Sequence, residues 1–405
     1  MSEIVLINIT GKDRKGLDAK FTGILAEYNV NILDISQEVI HDYITFGILA
    51  EIPDKNNFSS VYKNMVFESH KMELTIGIKP VALEEYEDWV QELDKERRTI
   101  TLLGKNITAD QIFKVTSIIA ESDLNIESLT RLSGRISIKT PQKNKKTCIK
   151  FSVSGKPKNI KKMRSKFVET SKKTGIDISF HIDNIYSKNR KLVVFDMDST
   201  LIQTEVIDEL AKLAGTEKEV AKITKSAMQG KIDFKKSFIQ RLALLKGIKK
   251  SELPQMIENL PFSEGVLRVT QTLKKLGYKL GIISGGFTFV GEYIKKKFGF
   301  DYVYANKLEM KNGMVTGKVI GDIIDGNEKA RILKIIAKKE NISIEQTIAV
   351  GDGANDIPMI SIAGLGVAYN AKQVVLEKTD NVISSVGLDG LLYLMGMHER
   401  EIEHN

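Results

Sequence analysis

Cysteine is almost absent. Cys148 is the only one in 405 residues, so no disulfide can close within the chain and no cysteine cluster can hold a metal. A reducing, cytoplasmic setting is expected. Long apolar runs are also missing: no window approaches the ~18 consecutive apolar residues that a membrane helix needs. The opening residues "MSEIVLINIT" have an acid at position 3 and no basic stretch ahead of an apolar one, so they do not read as a signal peptide. No membrane partner is expected. The formal net charge is +8, and residues 139–173 are rich in lysine. Aromatic residues for base stacking are not interleaved there. The stretch is therefore read as a solvated face, with no nucleic-acid partner, and the positive balance suits small anionic substrates.

The chain is too long for one ordinary core, so several domains are expected. "LAEYNVNILDIS" (25–36) and "IAESDLNIESLT" (119–130) mark an internal repeat. Each copy reads strand, helix, strand, strand, helix, strand, the βαββαβ order of a ferredoxin-like unit. Between them, "LEEYEDWVQELDKERR" reads as a connecting helix with Tyr86, Val90 and Leu93 at helical spacing, and Trp89 is taken as part of that helix rather than a partner anchor. A polar linker, "YSKNRK" (186–191), leads into alternating strands and helices, as in a parallel α/β domain. The expected strands are "KLVVFD", "KLGIISG", "TIAVGD", "GLGVAY" and "NVISS". Residues 206–259 read as a helical cap over the strand ends, and residues 302–320 as a hairpin turning at Asn312 and Gly313. The fold class is thus α/β, a Rossmann-like parallel sheet with a helical cap, preceded by two ferredoxin-like domains. The boundaries are 1–82, a linker at 83–97, 98–184, and 185–405.

Loops at the carboxyl ends of such strands form the site. Four carry suitable groups. "DMDST" ends the first strand with Asp196 and Asp198. "ISGGF" offers the Ser284 hydroxyl and the unobstructed backbone of Gly285 and Gly286 to phosphate oxygens. Lys329 opens a helix in "DGNEKARIL", where nothing local distinguishes it from a solvated lysine. "VGDGANDIPM" supplies Asp352, Asn355 and Asp356, and Asp352 with Asp196 would give a hard cation such as Mg²⁺ its carboxylate oxygens.

In this order the four motifs resemble the haloacid dehalogenase superfamily, and within it the phosphoserine phosphatase family. The resemblance runs from residue 191 to about 397 and includes the cap segments "STLIQTEVIDELA", "AMQGKIDFKKSFIQR" and "LLKG". It implies Mg²⁺-dependent hydrolysis of O-phosphoserine, the last step of serine biosynthesis, through an aspartyl-phosphate. Asp196 would be the nucleophile and Asp198 the acid and base. The metal would sit on Asp196, Asp352 and the main-chain carbonyl of Asp198, with Asp356 and Asn355 ordering its surroundings. Ser284, Gly285 and Lys329 would hold the phosphoryl oxygens. Glu205 and Arg241 would take the serine ammonium and carboxylate, and Met228 and Phe234 would line the pocket. The chemistry is sensible in itself, because an amino-acid zwitterion needs one anion and one cation from the protein. Another small phosphomonoester, or a serine-responsive regulatory role, stays open at this stage.

The two repeats resemble ACT domains, which bind amino acids and pair side by side. That implies an amino-acid effector and a homodimer. In the first repeat "TGKDRKGL" matches the family's ligand loop, with Asp13 and Gly16 in the expected places, whereas "GKNITAD" in the second lacks both residues; a plain structural loop stays open as the other reading.

Overall fold

The computed structural model describes residues 2–91, 95–139, 146–228 and 232–403. Leu93 and the lysines within 140–145 lie outside the described residues. Two compact bodies result, 1–95 and 96–405.

The first body holds β1 (Glu3–Lys12), α1 (Leu17–Glu27), β2 (Asn31–Ile40), β3 (Tyr43–Ile52), α2 (Phe58–Lys71), β4 (Thr75–Val81) and α3 (Leu83–Gln91). Alternation in β1 and β3 turns Val5, Ile7 and Ile9, and Ile44, Phe46, Ile48, Ala50 and Ile52, to one face. There they meet Leu17, Phe21 and Leu25 of α1 and Val61 and Met65 of α2. A side-chain period of two dictates this one-sided core. The sheet order is β2-β3-β1-β4, with antiparallel neighbours, the arrangement expected of a ferredoxin-like unit. β2 is an exposed edge.

The second body begins with the same unit: β5 (Arg97–Gly104), α4 (Ala109–Glu121), β6 (Asn125–Arg131), β7 (Thr147–Ser154), α5 (Ile160–Thr174) and β8 (Asp177–Ile182), in the order β6-β7-β5-β8. Its central strands β5 and β7 are buried on both faces, whereas the edge strand β6 is largely exposed. Ile100 and Leu102 pack under α4 and α5, whereas Leu103, Leu132 and Cys148 join the core of the α/β domain. The supposed linker is built in as well: the Asn184 side chain accepts from the Tyr186 and Ser187 amides, and Arg190 is buried.

The α/β domain contains β9 (Leu192–Phe195), the cap helices α6 (Val206–Ala214), α7 (Glu217–Met228), α8 (Phe234–Ala243) and α9 (Leu253–Glu258), then α10 (Val266–Lys275) and β10 (Lys279–Phe287). It continues with α11 (Thr288–Phe298), β11 (Tyr302–Lys311), β12 (Met314–Ile320), α12 (Gly326–Lys339), β13 (Thr347–Gly351) and α13 (Ile357–Ile362). The chain closes with β14 (Leu365–Tyr369), α14 (Gln373–Leu376), β15 (Val382–Ile383), α15 (Gly390–Leu394) and α16 (Glu399–Glu403). Strand order is β12-β11-β10-β9-β13-β14-β15. β9 lies between β10 and β13, parallel to both, and is fully buried because Val193 and Phe195 face one core while Leu192 and Val194 face the other. The chain leaves β9 at the point where strand order reverses, the place where such sheets bind ligands. β11 and β12 form the expected antiparallel hairpin; Asn312 and Gly313 both have positive φ, 50° and 74°, as a two-residue turn of this hand requires.

Edge strand β8 of the ferredoxin-like unit abuts edge strand β15. The Phe180 amide donates to the Asp380 carbonyl at 3.1 Å, and the Ser179 hydroxyl accepts from the Val382 amide at 3.0 Å. Buried Asp177 takes three hydrogen bonds, from the Ser384 and Ser385 amides at 2.8 Å and the Ser385 hydroxyl at 2.7 Å. Two edges that would otherwise invite pairing with other chains thus cover one another. Among the described residues, no helix is long and apolar enough to cross a membrane.

Candidate active site

Asp196 follows β9, its amide bonded to the Val350 carbonyl at 2.8 Å. It is 4% exposed, and its Oδ1 accepts from the Met197 amide at 2.7 Å. The next residues fold into a tight turn, with the Leu201 and Ile202 amides on the Met197 carbonyl at 2.9 and 3.1 Å. Asp198 leaves the turn toward the cap. Its Oδ1 accepts from the Val206 amide at 3.1 Å, at the start of α6. On its other side lies Gly286, where a Cβ would come within 2.4 Å of Asp198 Oδ2. Only glycine permits that approach. Burial, then the negative charges of Glu205 and Asp196, push the Asp198 carboxyl well above the ordinary range, so it holds a proton to give.

The second loop is fixed from below. Buried Ser284 accepts from the Gly286 amide at 2.9 Å, and Asn306 Nδ2 donates to the Gly285 carbonyl at 2.7 Å. Phe234 reaches this loop from the cap: its Cζ would be 3.5 Å from a Cβ on Gly285, and its ring stacks on Phe238.

Lys329 is not solvated at all. It is 0% exposed, and its Nζ lies 2.9 Å from Asp196 Oδ1 and 2.6 Å from Asp356 Oδ1. Burial works against its charge, but the two carboxylates outweigh it and hold the ammonium above its usual value. Asp356 Oδ2 accepts from the Gly353 amide at 2.9 Å. Asp196, Asp352 and Asp356 bring carboxylate oxygens within 4.8 Å of one another. Burial and the charges of Asp196 and Asp356 push Asp352 up to about 7. Burial and Asp196 push Asp356 up to about 6 against the pull of Lys329. A pocket with three acids and one internal cation is built for a hard divalent ion or for protons. The Asp198 carboxylate is not among the three converging side chains.

On the cap, Glu205 precedes α6 and accepts from the Ser199 hydroxyl at 2.9 Å. Arg241, on α8, donates to the Ser237 carbonyl and to Thr224 Oγ1, both at 3.4 Å. Burial lowers its pKa, opposed by the charges of Glu205, Asp208 and Asp198, so it shares a field with the site acids. Asn355 precedes α13, with Oδ1 folded back near Gly353. The side chain of Met228 lies outside the described residues. Asp13 and Gly16 belong to the first body, in the loop between β1 and α1, where Gly16 has φ 85°.

Ser199, Asn306 and Lys372 escape a reading of the sequence. Lys372 Nζ is 3.8 Å from Asp352 Oδ2 and its amide donates to the Asp352 carbonyl. With Ser199, Gln203 and Asp352 it lines a cavity of about 600 Å³ whose walls also include Lys105 and Lys146 of the second ferredoxin-like unit. The one signal for Ser199 was its place inside "DMDST"; Asn306 sits in a hairpin strand without a local cue.

An acid pair at the end of the central strand, with a buried lysine behind and a helical cap above, is the arrangement of a haloacid dehalogenase-like hydrolase. The family model for these hydrolases matches residues 193–361, and ACT-domain models match 3–79 and 97–181. A phosphoserine phosphatase of Streptomyces coelicolor is 35% identical over 98% of this chain and 93% of its own length. One of Mycobacterium tuberculosis is 33% identical over 98% and 94%. Among solved structures, a probable phosphoserine phosphatase of Vibrio cholerae has TM-score 0.58 and 30% identity, covering 76% of this chain and 89% of its own. A haloacid dehalogenase family hydrolase of Salmonella enterica has TM-score 0.63 and 29% identity over 74% and 98%. The chain belongs to the phosphoserine phosphatase family, in a form that carries two N-terminal ACT domains.

Proposed function

We propose that the chain hydrolyses O-phosphoserine to serine and phosphate through a phosphorylated Asp196. The observation that carries this reading is the pairing of two chemistries in one body: Lys329 held against Asp196, and Glu205 with Arg241 beside Asp198. The first serves phosphoryl transfer, and the second offers an anion and a cation to an amino-acid zwitterion.

The donor set fits a hard cation, since every converging ligand is a carboxylate oxygen. Asp196, Asp352 and the Asp198 carbonyl would hold Mg²⁺, which when bound supplies positive charge between the acids and the phosphoryl group. Asp356 is engaged with Lys329 and the Gly353 amide, and so orders the surroundings. An Asp196 carboxylate oxygen attacks phosphorus while the bond to the serine oxygen breaks. Asp198 gives its proton to that departing oxygen. It then takes a proton from the water that attacks phosphorus, releasing phosphate and restoring Asp196. Lys329, the Ser284 hydroxyl and the Gly285 amide neutralise the transferring oxygens. The cap, bearing Phe234 and Arg241, excludes bulk water and orients the amino-acid end.

The first body extends the reading. Its loop at Asp13 and Gly16 would receive an amino-acid effector, and its exposed β2 edge suits pairing with a second copy in a homodimer. The test is phosphate release from a panel of phosphomonoesters, with and without Mg²⁺ and added serine. O-phosphoserine is expected to be the preferred substrate; equal turnover of unrelated small esters would refute the substrate assignment.

A further inference from the structure

Ser199 has φ 57°, in the left-handed region. Glycine enters that region freely; serine adopts it at a cost, and such strain gathers at functional sites. A glycine would serve the backbone better, so what the serine contributes is its hydroxyl. That hydroxyl donates to Glu205 Oε1 at 2.9 Å, while the Ser199 amide donates to the Thr204 carbonyl at 3.3 Å, closing the loop on itself.

The use made of Glu205 is unusual for its place in the chain. It stands at the N-cap of α6, where a side chain commonly satisfies the first helical amides, yet it makes no capping hydrogen bond. Asp198 takes the Val206 amide instead. Among the described residues the hydroxyl of Ser199 is the one hydrogen-bond donor to the Glu205 carboxylate, and Oε2 has none. One oxygen is therefore anchored and the other left for a ligand, beside the acid that must protonate the leaving oxygen.

We propose that Ser199 is a positioning residue for amino-group selectivity: its hydroxyl fixes the Glu205 carboxylate so that the free oxygen meets the substrate ammonium. The strained turn of "DMDST" thereby couples two tasks within one loop, since Asp196 and Asp198 face the phosphoryl group while Ser199 aims Glu205. The inference rests on the O-phosphoserine reading above.

The experiment compares kcat/KM for O-phosphoserine with that for 3-phosphooxypropionate, the same ester without its ammonium. Ser199→Ala is expected to lower the preference for O-phosphoserine about tenfold, the scale of one hydrogen bond to a charged group. The loss is expected in KM, with kcat and the deamino ester changed by less than about twofold. Ser199→Gly relieves the backbone and still lacks the hydroxyl, so it is expected to lose selectivity equally. Ser199→Asn tolerates positive φ and keeps a donor, and is expected to restore part of it. Parallel losses on both esters, or a glycine variant as selective as the wild type, would overturn the inference while leaving the substrate reading intact. A wild-type enzyme indifferent between the two esters would remove both.

Discussion

Replacing Lys329 with methionine separates the electrostatic role of this side chain from its bulk. The ammonium sits 2.9 Å from Asp196 and 2.6 Å from Asp356 with no exposure to solvent. At an effective dielectric of about 20, each pair attracts by several kcal/mol, and burial of the ions offsets much of that. Removing one partner of a buried pair typically costs about 3–5 kcal/mol, because the remaining charges are stranded. In Lys329→Met those charges are three converging acids. The cost must therefore depend on pH. Burial and neighbouring acids push Asp352 up to about 7 and Asp356 up to about 6, and loss of the ammonium removes the pull that holds Asp356 down. At pH 8 the acids are charged and the full penalty applies; at pH 5.5 they take up protons and it shrinks to about half or less. The assay follows exchange protection of the β9 amides in increasing urea, without divalent cations, and so reads the body that contains the site. Adding Asp356→Asn to Lys329→Met is expected to recover part of the loss at pH 8. An equal loss at both pH values, or one below about 1 kcal/mol, would mean that Lys329 merely fills space.

Three further outcomes follow from the geometry. Asp352 is pushed up to about 7, so the folded state holds a proton that the unfolded chain releases near pH 4. Its contribution to metal-free stability thus falls as pH rises from about 4 to 7, and divalent-cation stabilisation grows over the same window; thermal melts of wild type and Asp352→Asn, with and without Mg²⁺, check the sign, and a metal-free difference that rises with pH would contradict it. Gly286→Ala puts a methyl 2.4 Å from Asp198 Oδ2 and 2.5 Å from Met197 Cε, so turnover is expected to fall at least about 100-fold through misplacement of the acid while circular dichroism stays native; wild-type turnover would show that the loop moves freely. Asp177→Ala strands the Ser384 and Ser385 amides, at a cost of about 2 kcal/mol read as faster hydrogen exchange at those residues; unchanged exchange would mean that β8 and β15 are held together by other contacts.

The α/β core was legible because β9 and its neighbours are buried on both faces, which leaves continuous apolar runs ending in polar residues. The repeats were legible through the match between 25–36 and 119–130 and, in the first copy, through strict alternation on a one-sided sheet; in the second copy β5 and β7 are buried on both faces. Lys329 could not be told from a surface lysine, because the groups that give it meaning come from other elements: Asp196 after β9 and Asp356 after β13. The seam between β8 and β15 was equally silent. Its contacts run through Asp177, Ser179, Ser384 and Ser385, which fall in segments expected as strands, but residue order does not say which strand edges meet. Glu205 and Arg241 became candidates through family resemblance alone, since charged residues on helices are ordinarily exposed; the burial of Arg241 and the hydrogen bond to Glu205 appear in three dimensions. The strain at Ser199 is a backbone property with no trace in residue order.

Acid-quenched mass spectrometry of the enzyme during turnover of O-phosphoserine with Mg²⁺ tests the central claim most directly. One phosphoryl group is expected on the peptide containing Asp196, absent from Asp196→Asn and lost when substrate is exhausted. Turnover without any phosphorylated peptide, or with the phosphoryl group on another residue, would contradict it.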